Sequence, residues 1–128
     1  MLTALRQQMT AADGSWLYLW GAPGTGRSHL LQAIVAESLA SSRPSAYLPG
    51  EQGERLFLEQ SLLVALDDID QLDADGQAAL FRALIQEREA RATLILAGSL
   101  PPQQLTLRED VRTRIGQALV FEIQALSD

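Results

Sequence analysis

Residues 21–28 read GAPGTGRS. The spacing is that of a phosphate-binding loop, G-x-x-x-x-G-[K]-[S/T], with Arg27 where lysine is usual. Such a loop turns tightly and aims several backbone N–H groups at one anion, and Gly21, Gly24 and Gly26 supply the backbone freedom for it. A helix starting near Arg27 adds its N-terminal dipole. The cation next in line neutralises β- and γ-phosphates, and the Ser28 hydroxyl is placed to ligate Mg²⁺. Ala22, Pro23, Thr25 and His29 complete the binding stretch, with Pro23 stiffening the loop and the His29 side chain assigned to packing or solvent. Arginine keeps the charge of lysine but binds phosphate as a planar fork. The chain holds ten arginines and no lysine, so part of this substitution reflects a general arginine bias.

A loop of this kind needs a carboxylate on a neighbouring strand, and LLVALDD (62–68) ends in two. Asp67 is the expected metal-side residue, and Asp68 stands where a carboxylate could orient an attacking water. Aspartate is one methylene shorter than the glutamate often used there, and a misplacement of about 1 Å can cost ~100-fold in rate. Asp70 and Asp73 are assigned to strand-end solvation and helix capping. There is no cysteine and a single histidine, which excludes disulfides, thiolate metal sites and cysteine nucleophiles.

These residues must be held by something, and the rest of the chain supplies it. SWLYLW (15–20) reads as a buried strand feeding the loop, with Trp16 and Trp20 on one face of it. Leu31, Val35 and Leu39 mark a helix from Ser28. Strand signals follow at 46–50, 62–70, 93–99 and 118–126, with a polar connection at 51–60. A helix over 73–91 has Asp73 as N-cap and Leu80, Phe81, Leu84 and Ile85 on one face. Thr106 and Glu109 fit a capping box opening a short helix with Val111 and Ile115 inside. Leu2, Leu5 and Met9 give 1–12 helical spacing. Apolar strands alternating with helices predict an α/β fold with a mainly parallel sheet covered on both faces.

The 128 residues suit one domain, and 47% hydrophobic with 20% charged residues is a globular composition. A net charge of −6 argues against broad electrostatic capture of DNA or an anionic membrane. No apolar run of about 18 residues and no signal-peptide pattern is present, so the expected location is the cytoplasm and no membrane partner is expected.

LYLWGAPGTGRSHLL, the DDID strand end, the PP after the third strand, and VRTRIG before VFEIQALSD together resemble the AAA+ ATPase core of DnaA-type replication initiators. They are most similar to its smaller branch, the DnaA regulatory inactivators (Hda). The resemblance covers nearly the whole chain, most specifically 17–35, 62–70 and 93–128. It implies a P-loop NTPase fold of AAA+ type with five strands and the loop strand central. It also implies ADP or ATP with Mg²⁺ in a site surrounded by Gly21, Gly24, Gly26, Arg27 and Ser28, with Asp67 and Asp68 as the acidic pair. Ser99 falls at the sensor 1 position, where these relatives usually have aspartate. Arg114 matches the arginine finger that reaches a nucleotide held by a neighbouring subunit, whereas Arg108 and Arg112 are assigned to solvent.

The family also has an upstream adenine-contacting segment, a clamp-binding peptide and a helical lid. Residues 1–128 are therefore expected to be the nucleotide-binding subdomain of a longer protein. By resemblance its partners are DnaA and the DNA polymerase sliding clamp, and homo-oligomerisation stays open. The function this implies is regulation of replication initiation by promoting hydrolysis of DnaA-bound ATP, with slow turnover of its own nucleotide. Two rivals are an active ATPase serving as initiator or helicase loader, and a nucleotide-free interaction module.

Overall fold

A computed structural model describes residues 15–22 and 26–123. The helix expected over 1–12, the loop centre Pro23, Gly24 and Thr25, and the end of the last expected strand lie outside them. Among the described residues five strands and three α-helices follow in the order β1 (Ser15–Trp20), α1 (Arg27–Ala40), β2 (Ser45–Pro49), β3 (Leu63–Asp67), α2 (Ala74–Ala90), β4 (Thr93–Gly98), α3 (Glu109–Gly116) and β5 (Leu119–Glu122). The strands form one all-parallel sheet in the order β2-β3-β4-β1-β5. β1 is therefore interior, but the middle strand is β4.

Strand alternation sends successive side chains to opposite faces, and both faces are apolar. Leu17 and Leu19 of β1, Ala65 of β3 and Ile95 and Ala97 of β4 meet Leu31, Ile34 and Val35 of α1. Tyr18, Leu66, Leu94 and Leu96 face the other way, onto Leu80 and Leu84 of α2 and Val111 and Ile115 of α3. Trp16 and Trp20 pack partly buried against this second cluster. The strands read as continuous apolar runs because both sides are covered.

Several expected positions shift. Leu39 and Ile85 are exposed, at 53% and 51%, because the buried stripe of α1 runs through Leu31, Ile34, Val35 and Ser38 and that of α2 through Ala79, Leu80, Ala83 and Leu84. The strand expected over 62–70 stops at Asp67, and Ile69–Gln71 is a 3-10 turn. Gly50–Arg55, expected as a polar connection, is also 3-10.

Asp73 caps α2 as expected, its Oδ1 accepting from the Gly76 N–H at 2.8 Å. The Thr106 capping box does not form. α3 begins at Glu109 with Arg108 as its cap residue and no side-chain cap, and Gln77 of α2 accepts the Arg108 N–H instead, at 2.8 Å.

Candidate nucleotide site

The C-terminal ends of β1, β3 and β4 lie side by side, the edge of a parallel sheet where ligands collect in open α/β folds. β1 runs into Gly21, whose N–H donates to Gly98 O at 3.1 Å. The loop closes at Gly26, with φ +84°. A Cβ there would meet nothing within 4 Å, so the left-handed backbone and not space calls for glycine. Among the described residues no side chain caps the first turn of α1, which leaves its N-terminal N–H groups and dipole for an anion.

Asp67 is fully buried and organises the site. Its Oδ1 accepts from Arg27 Nε at 3.1 Å and from the Asp68 N–H at 2.9 Å. Its Oδ2 accepts from Ser28 Oγ at 2.6 Å and Tyr47 Oη at 2.7 Å. Arg27 reaches on through Nη2 to Asp68 Oδ1 and through Nη1 to Gly21 O at 3.2 Å. Arg27 thus bridges both acids and the strand end while its side chain is only 13% exposed.

The Asp68 carboxyl is pushed up from its usual range by partial burial and by Asp67, with Arg27 opposing. Its backbone is left-handed, φ 52°, a conformation costing non-glycine residues about 1–3 kcal/mol. Gly50 makes room for it, since a Cβ at that position would run into the Asp68 carbonyl. An open cavity of ≈ 270 Å³ lined by Pro49, Gly50, Glu51, Asp68 and Gln71 lies on this side.

Ser99, at the tip of β4, donates its hydroxyl and N–H to Asp70. Asp70, assigned from the sequence to solvation, therefore ties the turn after β3 to the end of β4. Gly98 permits this, since a Cβ there would stand 2.5 Å from Tyr18 Oη and 2.8 Å from Asp70. Tyr18 donates to Leu100 O at 2.5 Å, and its phenol is pushed well above its usual range by burial and then by Asp70.

The structure thus brings together Gly21, Gly26, Arg27, Ser28, Asp67 and Asp68, with Ala22 and His29 exposed alongside. Arg114 is elsewhere. It sits in the last turn of α3 with its guanidinium 5.3 Å from the Phe81 ring centroid, and Arg108 is 5.6 Å from the same ring. Arg108 also pairs with Asp110 at 2.6 Å, and Arg112 Nη1 lies 3.4 Å from Leu105 O, so neither is merely solvated. Sequence reasoning missed Tyr47, Asp70, Gly50 and Gly98. The β2–β3 register sets Tyr47 on the same face of the sheet as Asp67, a relation between strands that no local sequence signal carries.

The residues present fit the phosphates of a nucleotide: an uncapped helix start, glycines, and a guanidinium with five N–H groups, three of them engaged among the described residues. They do not fit Mg²⁺ held at Asp67. A carboxylate offers about four acceptor positions, and here four donors fill them. Among the described residues no group of three or more His, Cys, Asp or Glu could hold a metal ion, and no helix is long and apolar enough to cross a membrane.

The fold is similar to that of solved replication initiators of the DnaA type. The structure is similar to domain III of the Thermotoga maritima replication initiation protein DnaA, with a TM-score of 0.80 and 18% identity over 96% of this chain and 60% of that one. It is also similar to AMPPCP-bound DnaA from Aquifex aeolicus, with a TM-score of 0.78 and 18% identity over 94% of this chain and 44% of that one. The chain thus spans roughly half the length of these initiators. No protein-family model matches the sequence. A solution structure of protein NMB1076 from Neisseria meningitidis matches at 32% identity over 97% of this chain and 85% of that one, with a TM-score of 0.66. The chain belongs to the family of NMB1076.

Proposed function

We propose that this chain is a nucleotide-binding AAA+ domain that takes ADP or ATP and acts as a regulator of replication initiation, promoting hydrolysis of ATP held by DnaA. The observation that carries the nucleotide reading is the uncapped start of α1, following the left-handed Gly26 and flanked by Arg27, Ser28 and the acids of β3. The likeness to AMPPCP-bound DnaA supports it.

Slow turnover of the domain's own nucleotide is supported by two features. Arg27 is bound to both acids, and the Ser99 hydroxyl proton is donated to Asp70, so neither group is free to follow charge developing on a γ-phosphate.

The regulatory half rests on Arg114. Among the described residues its guanidinium has no carboxylate partner and is steadied by Phe81, a geometry that can present a cation to another molecule. Homo-oligomer formation, DnaA and the sliding clamp are proposed partners through the resemblance alone.

Titration of ADP and ATP into the natural full-length protein tests the first half, and DnaA-bound ATP hydrolysis with wild type against Arg114→Ala tests the second. Nucleotide binding with loss of stimulation in the variant is the expected pair of results. Binding with strong turnover by the protein alone would favour an active ATPase, and no binding would favour an interaction module.

A further inference from the structure

Four donors meet at Asp67, and the cation among them is Arg27. Nε binds Asp67 and Nη2 binds Asp68, so one planar group spans the two carboxylates, while Nη1 holds Gly21 O at the mouth of the loop. A lysine ammonium carries all its donors on one nitrogen at the end of a flexible stem and cannot spread them over separate acceptors as this planar fork does. In P-loop enzymes the positive charge between the acidic strand and the phosphates comes from a divalent ion.

We infer that Arg27 takes the place of the divalent cation, so that this site binds the phosphates of a nucleotide without Mg²⁺. The inference rests on the nucleotide reading above and concerns how the charge of the site is balanced. Two observations carry it. Asp67 is fully buried and all four of its acceptor positions are filled, so a metal or its bound water can enter only by displacing a donor. Arg27 already neutralises part of the Asp67–Asp68 charge, so a metal entering there would stand beside a partly buried guanidinium and be repelled by it. The two N–H groups of Arg27 not engaged among the described residues, with the first turn of α1, are what remains for a phosphate.

The experiment is isothermal titration of ADP and of ATP into the full-length protein, each in millimolar Mg²⁺ and in EDTA, with Arg27→Lys in parallel. Equal affinity with and without Mg²⁺ in the wild type is expected. Arg27→Lys, which keeps the charge but loses the bridge, should bind more tightly with Mg²⁺ by about tenfold or more. A wild-type affinity that Mg²⁺ raises by about tenfold would overturn the inference and leave the nucleotide reading intact.

If neither nucleotide binds in either condition, the nucleotide reading fails, and Mn²⁺ titration followed by electron paramagnetic resonance decides the arginine's role without nucleotide. The wild type should take up no Mn²⁺ while Arg27→Ala and Arg27→Lys do. Equal uptake by wild type and variants would overturn the replacement.

Discussion

Arg27 and Arg114 are the same residue type under opposite constraints. Arg27 is turned inward, its charge neutralised by Asp67 and Asp68 and its fork spread over three acceptors. Arg114 of α3 is partly exposed and lies over the face of Phe81 of α2. A guanidinium bound to carboxylates of its own chain is fixed in place and serves the site it is built into. One held by an aromatic face keeps its hydrogen-bond donors for a partner. On the proposed function, the contrast separates a region that would bind nucleotide from one that would act on a neighbour, and each half can be broken separately.

The largest effect should come at the centre of the inward cluster. Asp67→Ala leaves Arg27, Ser28 and Tyr47 without their shared acceptor, and we expect a loss of about 3–5 kcal/mol in urea unfolding. A loss below about 1 kcal/mol would mean the cluster behaves as a surface pair and would erase the contrast. Gly98→Ala attacks the same end of the sheet by volume. Its methyl would meet Tyr18 and Asp70, and a cost of about 1–3 kcal/mol is expected; an unchanged midpoint would show that the Asp70–Ser99 link yields freely.

Tyr47→Phe removes one of the four donors to Asp67 and should cost about 1 kcal/mol in the same assay. Arg114→Ala should cost only about 0.5–1 kcal/mol while abolishing stimulation of DnaA-bound ATP hydrolysis. Equal damage to stability and stimulation would make Arg114 a structural residue like Arg27.

The smallest effect is at the surface pair. The Asp110 carboxyl is held below its usual value of 3.8, chiefly by its bond to Arg108. Its folded value is lowered, so its contribution is complete above 3.8 and is lost as pH falls through the folded value. Asp110→Asn should therefore lower Tm slightly at neutral pH, with the difference closing in acid. A difference that persists in strong acid would mean the charge is not its source.

Much of this was legible in the residues. The run SWLYLW followed by GAPGTGRS gave both the first strand and the start of α1, because continuous apolarity and glycine spacing are local signals. Asp73 was readable as a cap for the same reason. Leu39 and Ile85 were not, because apolar spacing marks a stripe of a helix without saying how far the sheet beneath extends to cover it. Asp70 looked like one more strand-end acid, since Ser99, its partner, is 29 residues away in sequence.

The sequence by itself determined the alternation of strands and helices, the glycine loop, and the acids that stand opposite it, since each depends on neighbours within a few residues. Only the tertiary structure decided that Arg27 faces the acids of β3, that Tyr47 completes the shell of Asp67, and that Arg114 lies on Phe81. Those outcomes depend on which strands pair and in what register, and on which charges are buried together. Pairing and burial are fixed by the packing of the whole sheet against its helices.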